Sequence, residues 1–262
     1  MRFAALVTIF FACSSPGSSG TTADASGGNG TDGHAGGDGG APQDSPPGPY
    51  GCHGQPTPTT APNPATLGGS AVTISGTSEV AASGVTVKAE DASGNVLGTA
   101  TTNGSGAYSM SLSTGGQALD VHLYASKSGD LDTAVYPATA LYESTNGGYV
   151  VIITSSDLSL LGELSGQSQD SNKAAIGVIV VDCLGNAISG ATVSTDPAGT
   201  PVYLSGGLPS SSATSTDSTG IGLVFNVPPG TVNVSAMANG MTLRSHSIEG
   251  VAGIVTTAAI EP

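Results

Sequence analysis

The side chains able to do chemistry in this sequence are few, and their spacing sorts them. His246-Ser247-Ile248-Glu249 has the His-x-x-Glu spacing that can supply two zinc ligands, but a catalytic zinc needs a third protein ligand and no His follows Glu249. Serine hydrolysis needs a nucleophile elbow such as Gly-x-Ser-x-Gly with a base and an acid. The expected folded part has no such elbow, and only His122 and His246 are there to act as base. Neither a phosphate-binding nor a dinucleotide-binding glycine pattern occurs. Asp130-Leu131-Asp132 offers oxygen ligands to Ca²⁺, yet two carboxylates are too few unless another loop contributes. Tyr136, Tyr142 and Tyr149, close in sequence to Glu143 and Asn146, suit either a sugar or protein contact face or a core or edge role, and the absence of Trp weighs against the sugar. No catalytic group, metal or cofactor is expected.

Composition and charge narrow the partners. The chain has 262 residues, 40 of them Gly and 16 Pro, with 19 acidic against 5 basic residues and a net charge of −14. That balance excludes nucleic acid, whose binding depends on Lys and Arg, and argues against electrostatic attachment to anionic lipid. Arg2 followed by the apolar run Phe3–Ala12 reads as a signal peptide over 1–12, too short to span a bilayer. Ile9-Phe10-Phe11-Ala12-Cys13 resembles the lipobox of bacterial lipoproteins, although Phe10 replaces the usual Leu. The resemblance implies an acylated Cys13, with ordinary signal cleavage and secretion as the alternative.

Residues 13–66 read as a disordered Gly/Ser/Pro-rich linker, because this composition cannot bury enough apolar surface to fold. Gly27–Ala35 fits the Gly and Asp positions of a Ca²⁺-binding β-helix nonapeptide, but one imperfect copy cannot stack into a coil. Once Cys13 is set aside, Cys52 and Cys183 remain as an even pair in an oxidising compartment. They form either a disulfide that pins the end of the linker to the second module, or two free thiols.

The remainder reads as an all-β chain: two tandem antiparallel β-sandwiches over 67–155 and 173–262, with a short helix and linker over 156–172 between them. Alternating apolar residues, as in Val85, Val87 and Ala89 or Val232, Val234 and Ala236, mark strands with one face on a core. Turn chemistry separates them at short intervals. Asn146-Gly147-Gly148 is expected to be a turn, Pro201–Ser212 an inserted loop, and Ser156 the helix cap. One pattern occurs twice. Ser83-Gly84-Val85-Thr86-Val87 returns as Ser189-Gly190-Ala191-Thr192-Val193, and Thr102-Asn103-Gly104-Ser105-Gly106 returns as Thr216-Asp217-Ser218-Thr219-Gly220.

On these motifs, together with Asn226-Val227-Pro228-Pro229-Gly230, the chain resembles carboxypeptidase regulatory-like domains, which have a transthyretin-like β-sandwich. Module one has Thr114-Gly115-Gly116 where the family has its Pro-Gly turn. The order of Cys, linker and two such modules is similar to that of exported bacterial lipoproteins. The resemblance implies a fold and, since fold does not carry function, no activity. The expected role is that of a non-catalytic lipoprotein at the outer membrane or cell surface. It presents its modules to a protein or envelope component for structural or adhesive work. An extracellular carbohydrate-binding protein acting through Tyr136–Tyr149 is the second reading, and an accessory module for a separate enzyme the third.

Overall fold

The computed structural model describes residues 48–75 and 78–262, so the expected signal peptide, Cys13 and the first part of the linker lie outside the described residues. Module 1 consists of β1 (Ala65–Ser75), β2 (Ser78–Ala81), β3 (Thr86–Asp91), β4 (Val96–Thr101), β5 (Ala107–Leu112), β6 (Val121–Ser126), β7 (Thr133–Tyr136) and β8 (Thr145–Ile152). A helix α1 (Ser155–Ser165) follows. Module 2 has β9 (Ala174–Val180), β10 (Thr192–Asp196), β11 (Thr200–Ser205), β12 (Leu208–Ser210), β13 (Ile221–Val227), β14 (Gly230–Ala238), β15 (Met241–Thr242), β16 (His246–Gly250) and β17 (Val255–Ile260). The tandem β-sandwich architecture expected from the alternating pattern is the one observed.

The two sandwiches share a sheet. One nine-stranded sheet runs β12-β11-β13-β9-β17-β7-β6-β3-β4, and two four-stranded sheets, built on β1 and on β14, complete the sandwiches. The modules use opposite faces of the shared sheet, as the alternation of side chains along a strand allows. Val135 in β7 belongs to the core of module 1, with Val87, Leu123, Leu112 and Ile152. The next residue, Tyr136, packs on the core of module 2, with Val178, Val224, Val234 and Ile260.

Each sandwich is closed by the same device. Thr102 Oγ1 accepts from Val85 N (2.9 Å) and donates to the Ala82 carbonyl (2.6 Å). Thr216 Oγ1 accepts from Ala191 N (2.9 Å) and donates to the Ile188 carbonyl (2.7 Å). Both side chains are buried, so each hydroxyl satisfies two backbone groups that water cannot reach. The repeated sequence motif is therefore a repeated hydrogen-bond clamp.

Several boundaries differ from expectation. β1 begins at Ala65, ahead of the residue 67 expected as the start of the first sandwich, and lies between β5 and the parallel strand β8. Asn146-Gly147-Gly148 is not a turn: it lies inside β8, because β1 and β8 approach so closely at Gly69 and Gly148 that a Cβ on Gly69 would overlap the Gly148 carbonyl. Tyr108 donates its hydroxyl to that same carbonyl at 3.0 Å. The expected insertion at 201–212 is largely the β11–β12 hairpin, which extends the shared sheet. Thr154, not Ser156, caps α1, in a capping box with Asp157. The Thr154 hydroxyl accepts from Asp157 N at 3.2 Å and the Asp157 carboxylate accepts from Thr154 N at 2.9 Å, so two N–H groups at the helix start are satisfied reciprocally.

Residues 48–64 correct the linker boundary at 66. They form a strap across one pole of the molecule. Tyr50 packs on the core of module 2 and accepts from Asn239 Nδ2 at 2.6 Å. Further along, Thr59 accepts from Ala118 N and Ala61 donates to the Gly116 carbonyl, while Asn63 accepts from Thr114 N at 3.1 Å. Polar composition signals disorder only when no partner satisfies the backbone, and here both modules do.

Candidate functional site: the joint between the modules

The joint is built by β17 entering the shared sheet between β9 and β7, parallel to both, in the register Val255↔Thr133 to Ala258↔Tyr136. The small residues Thr256, Ala258 and Ala259 are all buried there. β8 and β17 correspond, each running parallel to the first strand of its module. The match extends to their ends: Leu131 N donates to the Ile153 carbonyl as Arg244 N donates to that of Glu261. Thr133 Oγ1 donates to the Val151 carbonyl at 3.0 Å, and His246 faces the Ala259 carbonyl in the equivalent place.

An aromatic column crosses the joint. His122 and Tyr136 stack at 4.6 Å with a 10° interplanar angle, and Tyr136 meets His246 edge-on at 5.9 Å. The sheet register places Glu90 opposite His122, with His122 Nε2 3.7 Å from Glu90 Oε2. Burial pushes His122 below its ordinary pKa against the pull of Glu90, Asp120 and Asp91. His246 is likewise lowered by burial, against Asp120 and the Ala259 carbonyl, and its Nδ1 is buried without a hydrogen-bond partner among the described residues. Along the same face, Tyr124 donates to Asp132 Oδ2 at 2.6 Å, and burial together with that carboxylate pushes the phenol up to about 12.

On the other face of the sheet, beside β7 and β17, a cleft of about 120 Å³ opens toward the 137–144 segment. Leu123, Val135, Ile179 and Ala259 line its floor, with Tyr142 and Glu143 on its wall. It is the apolar gap left where the two cores step from one face of the sheet to the other.

The structure separates the three tyrosines proposed as a binding cluster. Tyr136 is held in the aromatic column, with its hydroxyl accepting from Glu249 N at 3.3 Å. Tyr142 lines the cleft, and Tyr149 carries a buried hydroxyl near Glu79, raised in pKa mainly by burial. Tyr136 and Tyr142 thus lie on opposite faces of the shared sheet. Asp130 and Asp132 also diverge: Asp130 pairs with Lys127 at 3.8 Å, and Asp132 binds Tyr124. No group of three or more His, Cys, Asp or Glu among the described residues could hold a metal ion. The i,i+3 spacing of His246 and Glu249 on a strand turns them to opposite faces.

Cys52 and Cys183 are joined in a disulfide, with Cα atoms 5.6 Å apart. Around it Cys183 N donates to the Pro49 carbonyl, His53 approaches the Thr242 carbonyl at 3.1 Å, and Arg244 reaches the Gln55 and Pro262 carbonyls. Sequence reasoning did not find the strap or the aromatic column. The column carries no local signature, because His122 and Tyr136 on the neighbouring strands β6 and β7 are joined by His246 from β16, more than 100 residues later in the chain.

No family model matches the chain, and no curated protein matches it. Among solved structures, the Bacillus anthracis TIE protein is 11% identical with a TM-score of 0.22, covering 76% of this chain and 34% of its own. The chain thus spans about a third of that protein's length. The shaft pilin of Lactobacillus rhamnosus GG is 11% identical, with a TM-score of 0.24 and coverage of 76% and 98%. The minor pilin of Streptococcus agalactiae is 14% identical, with a TM-score of 0.24 and coverage of 75% and 94%. Scores at this level assign the chain to no family.

Proposed function

We propose that the protein is an exported, non-catalytic surface protein. In this reading a lipid on Cys13 and the Gly/Ser/Pro-rich segment hold the paired sandwiches at the cell surface for structural or adhesive contact with a protein or envelope component. The observation that carries it is where the strap docks. The strap meets the end of β9 at Cys183, the β14–β15 turn at Asn239 and the C-terminal Pro262, and then the start of β1. The strand directions set by the sheet registers put these points at one pole. The turns at 102–106, 127–132, 226–230 and 251–254 lie at the other. A stalk leaving from the first pole would present the second, whose turns are free of the strap and tolerant of sequence change.

Mild-detergent extraction from the protein's own cells, followed by intact mass, tests the anchor. A diacyl or triacyl mass on Cys13 is expected, and a soluble, unlipidated product would overturn it. Replacing residues 103–105 and 228–229 of two of these turns with Gly/Ser sequence, which spares the buried Thr102 and Val227, should abolish adhesion or partner association while circular dichroism stays unchanged. Unaffected adhesion would refute presentation by that pole. The carbohydrate reading retains one supporting feature, the placement of Tyr142 and Glu143 on the wall of an apolar cleft. Retention on a glycan array, lost in Tyr142→Ala, would favour it.

A further inference from the structure

The disulfide and the strap together define a mechanical path. We propose that the Cys52–Cys183 bridge is a mechanical staple, passing tension from the N-terminal segment directly into module 2 and leaving module 1 outside the covalent path. The inference refines the tethered-display reading, but its argument is topological and needs no partner.

The bridge joins residues 131 apart in sequence. All of module 1, helix α1 and strand β9 lie between them. Tension entering ahead of Gly48 crosses from Cys52 to Cys183 through the sulfur–sulfur bond, and from there it continues only toward β10 and the strands after it. The loop between the two cysteines lies outside the covalent path while the bridge is intact and meets the load only through non-covalent contacts, such as the ladder hydrogen bonds of β17 to β7 and β9. The surroundings of the bridge fit such a junction. Pro49 and Tyr50 on its tension side are bonded to module 2 through Cys183 N and Asn239, and Cys52 N donates to the Cys183 sulfur at 2.9 Å. On the slack side the strap attaches to module 1 by Thr59, Ala61 and Asn63. Module 1 also has its own core, around Val85, Leu112 and Ile152. It can therefore stay folded while module 2 is pulled apart around it. The consequence is an ordering under load: the module later in sequence is the one loaded first, and the module earlier in sequence is held in reserve.

Single-molecule force-clamp measurement on the full chain, held by its N-terminus and by Pro262, reads this directly. Without reductant, unfolding of module 2 should release only the chain after Cys183. A thiol reductant added next should then cut the exposed bridge and free the enclosed chain, whose full extension is roughly 430–470 Å. If module 1 was sheltered, this length appears in two stages: immediate slack from the segments on either side of module 1, then a separate step as residues 65–152 unfold. Release of the whole length before reductant would overturn the staple. Its release in one step on reduction would show that module 1 had already been lost, and would overturn the shelter. The Cys52→Ser, Cys183→Ser double variant should give the full length with no reductant. None of these outcomes depends on Cys13 acylation or on a ligand, so failure here and failure of the tethered-display reading are separable.

Discussion

The two modules solve the same problem of closure with the same residues, and the problem of their outer surfaces with different ones. Thr102 in module 1 and Thr216 in module 2 bridge equivalent backbone groups, and Gly106 and Gly220 take the same left-handed conformation after them, at φ 77° and 69°. A Cβ at either glycine would crowd a backbone carbonyl of the module's first strand, that of Ala71 or of Val180. What differs is the treatment of the outer faces. In module 1 the strands β3 and β6 turn Lys88, Glu90, His122 and Tyr124 away from the module's own core. In module 2 the corresponding outer face of the first sheet is apolar, with Ile179, Leu204 and Ile221, and α1 packs toward it, Gly162 lying close to the Phe225 ring. One sandwich turns polar and aromatic, part-buried side chains outward on this face, and the other covers an apolar face with its own chain. The difference teaches that the helix, the β11–β12 hairpin and the disulfide are additions to module 2, laid over a shared plan.

The comparison is broken most severely at the additions. Removing the bridge with Cys52→Ser, or by reduction, should cost about 3–5 kcal/mol, since a disulfide closing a long loop restricts the unfolded chain strongly. Urea unfolding with and without reductant measures it. Amide exchange should rise first in residues 48–55, while β1 and β5 keep their protection. Equal loss of protection in both modules would mean that the bridge supports the whole molecule and not one half.

The shared plan is tested by treating both modules alike. Thr102→Val and Thr216→Val keep shape but remove the hydroxyl, leaving a buried N–H and a buried carbonyl unpaired in each case. Each should destabilise by about 1–3 kcal/mol, and the two costs should agree within the scatter of such measurements. A neutral result for one of them would show that the motif is repeated in sequence but not in energetic role.

How much of this could be read in advance follows from the range of each signal. The Thr-centred turns and the alternation of Val232, Val234 and Ala236 are local, and they placed strands correctly. Tyr149–Ile153 is legible as a strand. The first half of β8 was hidden because Asn146-Gly147-Gly148 has turn chemistry, yet the glycines serve a close approach of two parallel strands. The first half of β1 was hidden because Gly68 and Gly69 resemble the linker before them. The pairing of β17 with β7 leaves no trace at either strand, since it depends on where two complete sandwiches meet. Of the candidate site, the cysteines were legible by elimination. The tyrosines were legible as a cluster in sequence, but alternation and a long loop send them to different surroundings.

Acid should weaken the joint with a definite sign. His122 and His246 both have folded-state pKa values below the ordinary value of about 6.5, chiefly because burial disfavours the imidazolium. Their contribution is therefore fully present above about pH 6.5 and is lost as the pH falls toward the folded values, because the unfolded chain binds the protons more readily. The carboxylates around them, Glu90, Asp91 and Asp120, partly offset this by favouring the charged rings. Asp91 and Asp217 are held below the usual carboxylate range, chiefly by hydrogen bonds to Asn95 and to Thr219 against burial at Asp217, and their effect enters only at lower pH. Melting temperature should decline from pH 7 to pH 5, and His246→Asn should flatten the decline. A flat wild-type profile would show that the column does not sense pH.

The smallest expected effect separates the two faces of the joint. Tyr142 is half-buried on the wall of the cleft, whereas Tyr136 sits between two histidines and accepts from a backbone N–H. Tyr142→Ala should change stability by no more than about 1 kcal/mol, as for substitutions away from a close-packed core. Tyr136→Ala removes a ring stacked between modules and should cost more. Chemical denaturation of the two variants ranks them. If Tyr142→Ala is the more damaging, the 137–144 segment is part of the scaffold of the joint, and the cleft loses its standing as a place for a ligand. If the ranking holds and Tyr142→Ala leaves the fold intact, a glycan or peptide that protects Tyr142 from oxidative labelling would identify what the cleft accepts.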